Sequence, residues 1–125
     1  MRLRLIRHAT LAIEYNGHNL LVDPMLDDAE ARGPVQNTPN QRKNPLVGLP
    51  IPAAQVVDDV EAVLVTHTHS VHWDGTAVEL IRKLQSTNRT YACLTNSTTG
   101  PSQLSARLAR MGVTVDPDHI YTAAA

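Results

Sequence analysis

The chain has 125 residues, a net charge of −1, 42% hydrophobic residues, 18% charged residues and one cysteine, Cys93. These values fit a single folded domain rather than a disordered chain. Scattered Lys and Arg residues exclude a nucleic-acid-binding patch, the apolar runs are too short to span a membrane, and the N-terminus lacks a signal-peptide core, so we expect a cytoplasmic protein.

Alternating apolar residues at the start of the chain predict an antiparallel meander. Leu3 and Leu5, and later Leu11 and Ile13, recur at every second position, which is the period of a half-buried strand. Asn16-Gly17 then separates two apolar runs and is a strong hairpin signal, because both turn residues need positive φ. We expect strands near residues 2–7, 9–15 and 18–23.

The segment 24–55 has no hydrophobic periodicity and holds six of the eight prolines of the chain. A segment of this length without regular structure is unusual within a small domain. Two interpretations stay open. It is either a floppy surface loop or a loop laid across a functional site.

The second half of the chain predicts alternating strands and helices. Residues 60–65 form an apolar, β-branched run, and residues 76–86 repeat their apolar positions at helical spacing. A strand at 90–94, a helix that starts near Pro101 and ends at Gly112, and short strands at 113–115 and 120–121 follow. We therefore predict one α/β domain over 1–125, with a meander joined to a βαβαβ unit, a mixed sheet and two main helices.

Residues 66–76, THTHSVHWDGT, place His67, His69 and His72 within six positions just after a predicted strand. Three neutral imidazoles are suitable ligands for one divalent metal such as Zn, Mn or Fe. Three histidines with one open position also form a catalytic zinc site that activates water. The alternative is three solvated or locally hydrogen-bonded histidines on a loop.

THTHSVHWD resembles the His-x-His-x-Asp-His signature of the metallo-β-lactamase superfamily. Upstream, RLIRHATLAIEYNGHNLLVDPML, NTPNQRKNPLVGLPIP and VEAVLVTHTH are similar to its ascorbate-lactonase-like branch, so the resemblance covers about residues 1–75. It implies that His67 and His69 bind a first metal and His72 a second. It also implies that Asp23 and His8 lie beside the site.

This sequence departs from the pattern at Val71, where that superfamily has an aspartate that binds the second metal. Valine cannot bind a metal, so we expect a single site. The family domain is also much longer and supplies further ligands from its second half. Here the one later histidine is His119, which has no family context around it.

After residue 75 the chain has a helix, a strand ending in Thr-Asn-Ser (95–97), a Pro-Ser helix start (101–102), Met-Gly-Val (111–113) and Ile-Tyr-Thr (120–122). In these features residues 76–125 resemble another superfamily, the haloacid dehalogenase phosphatases, in their p-nitrophenylphosphatase-like branch. Thr95 matches the phosphate-binding threonine of that branch, and Asn96 follows it, so both are candidates for binding an anion at a helix start. The alternative is ordinary turn and capping chemistry. In His72-Trp73-Asp74-Gly75-Thr76, Asp74 matches the general acid, but His72 stands where aspartyl-phosphate chemistry needs a carboxylate nucleophile.

The two resemblances meet near residues 70–76, which predicts a chimera, either engineered or naturally fused. Our first hypothesis is a fused domain without efficient activity that binds one metal; the second is a metal-dependent hydrolase of lactones or phosphoesters. The sequence leaves open whether the chain is an enzyme. Apolar faces built to contact the absent halves of the parent domains would be exposed, so we also expect a homodimer or higher oligomer.

Overall fold

The computed structural model describes residues 1–66, 69–86, 93–95, 98–110 and 114–122. Its larger sheet has four strands in the order in which they follow along the chain. These strands are β1 (Arg2–Arg7), β2 (Thr10–Tyr15), β3 (His18–Val22) and β4 (Ala62–Leu64). The first three strands pair antiparallel, whereas β4 pairs parallel with β3. The predicted meander is therefore confirmed, with strand ends close to those expected.

The hairpin between β2 and β3 has the predicted turn. Asn16 and Gly17 both have positive φ, at 50° and 83°. A two-residue turn of this kind matches the twist of the flanking strands. The local sequence thus sets the register of this pair, in which Tyr15 lies opposite His18.

The second half alternates helices with short strands, as predicted. The two main helices are α2 (Gly75–Ser86) and α3 (Pro101–Arg110), and a shorter helix, α1 (Ala53–Val57), precedes β4. Strands β5 (Cys93–Thr95) and β6 (Ile120–Thr122) pair parallel in a second sheet. A 3₁₀ turn at Pro117–His119 leads into β6. The described helices include none that is both long and apolar enough to cross a membrane.

Two details differ from the sequence predictions, and others lie outside the described residues. Helix α1 was not expected, because its five residues are too few to show a helical period. Thr114 and Val115 lie outside any strand, so the prediction of a strand at 113–115 is wrong for these two residues. Val113, the helix-ending Gly112 and residues 90–92 of the predicted strand lie outside the described residues.

A single apolar core joins the larger sheet to the helices. One face of the sheet contributes Ile6, Leu21 and Val63, which pack with Val56 and Val60 from α1 and the turn after it. The same core continues through residues that follow β4, in and around α2, α3 and β6: Val65, Trp73, Ala77, Leu104, Leu108, Val115 and Ile120. The two halves of the chain therefore share one core.

The buried face of β1 is the opposite of the one that the sequence pattern indicated. Leu3 and Leu5 are 58% and 63% exposed, whereas Ile6 is buried against the core. Leu3 lies opposite Ile13 and Leu5 opposite Leu11, so these side chains share the outer face of the sheet. Periodicity identified the strand correctly, but it does not show which face another layer covers.

The exposed apolar residues on the outer face of β1 give a way to test self-association, which stays a prediction. Because exposed apolar sheet faces and edge strands favour association, we expect the protein to be a dimer or larger by size-exclusion chromatography with light scattering. The double variant Leu3→Lys/Leu5→Lys should be monomeric. Leu46→Lys/Val47→Lys, at loop positions 55% and 61% exposed, is the matched control and should not change the mass. A monomeric wild-type protein at high concentration would contradict the prediction.

The segment between β3 and α1 folds back on itself. Arg32 and Asn44 exchange backbone hydrogen bonds of 2.8 and 2.9 Å, and the Glu30 amide donates to the Pro45 carbonyl at 2.8 Å. Pro24 and Pro45 are fully buried. The Arg32 guanidinium also donates to the carbonyl of Ser70 in the histidine stretch. Of the two open interpretations, the structure favours a loop that lies on the candidate site.

Candidate metal centre and its supporting network

Three strands end at the same edge of the larger sheet, and their ends carry candidate site residues. β1 and β3 both run antiparallel to β2, and β4 runs parallel to β3. The carboxyl ends of β1, β3 and β4 therefore lie at the same edge, with β2 between β1 and β3. His8 follows β1, Asp23 follows β3 and Thr66 lies just past β4. This topology explains why residues that are distant in sequence converge here.

Asp23 lies at the centre of this edge and is 3% exposed. Its Oδ1 accepts a hydrogen bond from the Thr66 amide at 2.7 Å, and its Oδ2 accepts one from the Thr66 hydroxyl at 2.7 Å. Oδ2 also lies 3.0 Å from Nδ1 of His72. A buried carboxylate needs such partners to offset its desolvation, so Asp23 fixes Thr66 and His72 together.

The backbone at Asp23 is also held in an uncommon conformation. Asp23 and His8 have φ of 44° and 53°, in the left-handed region that residues other than glycine rarely adopt. Thr10 supports this geometry, because its hydroxyl donates to the Asp23 carbonyl at 2.6 Å and accepts from the Met25 amide at 3.0 Å. Backbone strain held by such contacts is concentrated at functional sites.

The structure brings His8, His72 and Asp23 together. The His8 and His72 rings meet edge to face, with their centroids 5.8 Å apart. His69 is exposed and belongs to the same turn, since its carbonyl accepts from the His72 amide at 2.9 Å. His67 lies outside the described residues. Within the described ranges, three or more His, Cys, Asp or Glu residues do not come together as a metal-binding group.

Asp74, considered from the sequence as a phosphatase acid, caps α2 and ties down the long loop. Its side chain is fully buried. Oδ1 accepts from the Ala77 amide at 2.9 Å, and Oδ2 accepts from the Asp27 amide at 2.8 Å. Burial raises the pKa of the Asp74 carboxyl above its ordinary value, although these backbone donors oppose the rise. The Asp-Gly-Thr-Ala sequence is a helix-cap signal that sequence reasoning passed over.

Arg32 and Asp27 complete this network, and neither residue was singled out from the sequence. The Arg32 guanidinium lies 3.4 Å from a carboxylate oxygen of Asp27 and 3.6 Å from one of Asp74. Asp27 also accepts from the Thr76 hydroxyl at 2.8 Å. Through these contacts the loop, the histidine turn and the start of α2 form one connected unit.

Arg7 supports the loop from the sheet side. Its guanidinium donates to the Met25 carbonyl at 2.6 Å, to the Asp27 carbonyl at 2.8 Å and to the Val47 carbonyl at 3.0 Å. Burial lowers the pKa of Arg7, and the nearby Asp74 and Asp27 carboxylates oppose that shift. The positive charges of Arg7 and Arg32 thus lie close to the negative charges of Asp27 and Asp74.

Thr95, the candidate anion-binding residue, lies at the end of β5. It is buried, and its hydroxyl donates to the Thr66 carbonyl at 2.8 Å. This bond joins the second sheet to the strand end that carries the Asp23 partner. Asn96 lies outside the described residues. Anion binding by this pair stays a prediction.

The donors at this edge suit a divalent metal. A histidine that binds a metal usually donates its other ring N–H to a carboxylate, which fixes the tautomer. Asp23 stands in that relation to His72, and a carboxylate can only accept, so Nδ1 carries the proton. Nε2 is then the nitrogen through which His72 would bind a metal.

The sequence model of the family described as haloacid dehalogenase-like hydrolase matches residues 56–125, which is more than half of the chain. The chain therefore belongs to the haloacid dehalogenase-like hydrolase family. The match begins at Val56, about twenty residues before the boundary expected from the sequence. It thus includes the histidine stretch as well as the segment that follows.

The chain is also similar to one curated protein and to two solved structures. It is 37% identical over 84 residues to the UPF0173 protein YddR of Bacillus subtilis (strain 168), a match that covers 66% of this chain and 33% of that protein. It resembles the crystal structure of isothiocyanate hydrolase from Delia radicum gut bacteria, with a TM-score of 0.73 and 32% identity over 98% of this chain and 41% of the other.

A second solved structure, a possible metal-dependent hydrolase from Veillonella parvula DSM 2008, has a TM-score of 0.73 and 27% identity, and the match covers 96% of this chain and 41% of that one. The chain thus spans about a third of the curated relative and two fifths of the solved structures. Because these structures superpose on nearly all of the chain, their similarity extends through both segments distinguished in the sequence. The chimera remains a prediction.

Proposed function

We propose that the chain contains the metal-binding part of a metal-dependent hydrolase. One divalent metal is held by His67, His69 and His72, with Asp23 orienting His72. The observation that carries this proposal is the His72–Asp23 pair, at 3.0 Å, where three strands end. The similarity to solved structures, one of them named as a possible metal-dependent hydrolase, supports it.

A divalent metal in this position would supply Lewis-acid activation of water. The residues of the chain prepare the site for it. Asp23 keeps the proton of His72 on Nδ1, and Thr66 holds both oxygens of that carboxylate in place. His8 contacts the outer side of the His72 ring. Arg32 fixes the turn between the histidines through the Ser70 carbonyl.

A single metal is proposed because of Val71, which is half-buried where the resembled superfamily has an aspartate. The second candidate function, a fused domain without efficient catalysis, is favoured by the same residue. Val71→Asp distinguishes the two in part. Hydrolysis that appears only with the carboxylate would mean that the parent geometry is kept and the natural chain is a weak catalyst.

Metal content tests the proposal directly. Protein purified without a His tag or added metal should contain about one equivalent of Zn, Mn or Fe per chain by elemental analysis. The variant His67→Ala/His69→Ala should lose it. His18→Ala/His119→Ala, which removes two imidazoles elsewhere, should keep it. Metal well below one equivalent and equal in all three proteins would contradict the proposal.

Hydrolysis is then measured with three substrates: a lactone, a phosphoester and an isothiocyanate. The isothiocyanate is included because a similar structure is named as a hydrolase of that compound class. Turnover should stop when a chelator removes the metal and return when the metal is restored. Turnover that is indifferent to the chelator would contradict metal dependence. The panel therefore tests the reaction separately from metal binding.

A further inference from the structure

A cavity of about 390 Å³ lies between the long loop and the histidine turn. Its volume is within the range of small-molecule sites, at the small end. The long loop forms one wall and the turn at residues 69–71 forms the other. The cavity is therefore lined by His69, one of the proposed metal ligands, so a substrate bound there would lie next to the histidine turn.

The described lining of this cavity is apolar and amide-like. Val35 and Val71 supply hydrocarbon surface, and Gln36 and Asn44 supply side-chain amides that both donate and accept hydrogen bonds. Arg32 is the one permanently charged side chain among the described residues that line it. Ligand pockets commonly combine mostly apolar walls with a few polar groups that fix orientation.

The charge of Arg32 is already balanced. Its guanidinium faces Asp27 at 3.4 Å and Asp74 at 3.6 Å, and it donates to the Ser70 carbonyl. Arg7, which bonds to the Asp27 backbone, is the second cation of this network, and Asp28, which does not line the cavity, also lies near it. The loop wall therefore offers no surplus charge to attract either an anionic or a cationic group.

From this arrangement we infer that the cavity binds the non-reacting part of the substrate, and that this part is uncharged, small and partly apolar. The inference rests on the proposed function, because it takes the histidine turn to be the reacting side. Gln36 and Asn44 orient the molecule by hydrogen bonding, while Val35 and Val71 contact its apolar portion. A substrate with a phosphate or carboxylate on the loop side is disfavoured.

Three amide probes test the inference by binding alone, without turnover. Benzamide, 4-carboxybenzamide and 4-(aminomethyl)benzamide share the carboxamide and differ in the charge at the far end. Titrations followed by ¹H–¹⁵N NMR should shift the amides of Gly33, Ser70 and Val71. Benzamide should bind at least about tenfold more tightly than either charged analogue. The titrations are run on the protein as purified and again with a chelator present.

A charge placed on the loop wall provides the decisive variant. Val35 is 44% exposed, so Val35→Lys adds a cation there without disturbing the core. It should raise the affinity for 4-carboxybenzamide about tenfold. Leu46→Lys, at a position 55% exposed and outside the cavity lining, is the matched control and should leave all three affinities unchanged.

Each result decides the inference separately from the proposed function. Equal or tighter binding of a charged probe to the wild-type protein would overturn it, as would the absence of binding by benzamide, or equal effects of the two lysine variants. If benzamide shows the expected preference and the protein binds no metal, the uncharged pocket stands and the proposed function fails. If metal binds and benzamide does not, the proposed function stands alone.

Discussion

Replacing Asp74 by alanine is expected to lower the free energy of unfolding by about 3–5 kcal/mol, the usual cost of removing one partner from a buried charge network. The variant removes the cap of α2 at the Ala77 amide and leaves the Asp27 amide without its acceptor. It also leaves Arg32 with one nearby carboxylate instead of two. Because the Asp74 side chain is fully buried, water cannot easily replace the lost contacts.

Urea unfolding followed by far-UV circular dichroism measures this effect. Asp74→Asn keeps one oxygen for the helix cap and should cost less, about 1–3 kcal/mol. Asp28→Ala, at an exposed position in the same loop, is the control and should change stability by less than about 0.5 kcal/mol. Equal stability of the Asp74→Ala and Asp28→Ala variants would contradict the structural role assigned to Asp74.

Replacing Asp23 by asparagine is expected to weaken divalent-metal binding by about 10–100-fold, the usual effect of removing a carboxylate that orients a ligating histidine. An amide nitrogen facing His72 Nδ1 would donate rather than accept. The ring would then carry its proton on Nε2, the nitrogen proposed to bind the metal. The Thr66 amide can still donate to the remaining oxygen, so the strand ends stay connected.

Competition of Zn²⁺ between the protein and a chromophoric chelator measures the affinity. Thermal unfolding of the same samples without metal shows whether the fold is kept. Asp59→Asn, at an exposed position after α1, should leave the affinity unchanged. If Asp23→Asn binds Zn²⁺ as tightly as the wild type does, Asp23 does not orient a metal-binding histidine, and that role would have to be abandoned.

The strands and the main helices were predictable because each is encoded locally. The alternation of Leu11 and Ile13, the Asn16-Gly17 turn and the helical spacing after Thr76 all act within a few residues. The same local signals indicated the wrong buried face for β1. That face is set by α1 and Val60, which lie some fifty residues away.

The candidate site was predictable only in part. The spacing of the histidines indicated a metal, and family resemblance pointed to Asp23 and His8, which the structure places around His72. The Arg32–Asp27–Asp74 network could not be foreseen. It joins residues more than forty positions apart, and the intervening loop has no period that would indicate its path.

The hydrogen bond from the Thr95 hydroxyl to the Thr66 carbonyl connects the second sheet to the part of the chain that holds the candidate site. The described residues that surround Asp23 come from the first third of the chain and from positions 64–76, whereas α3 and β6 supply core packing and part of a second sheet. The family model matches only residues 56–125, whereas the solved structure of isothiocyanate hydrolase matches nearly the whole chain. Because the Thr95–Thr66 bond connects the two parts, both comparisons describe one folded unit.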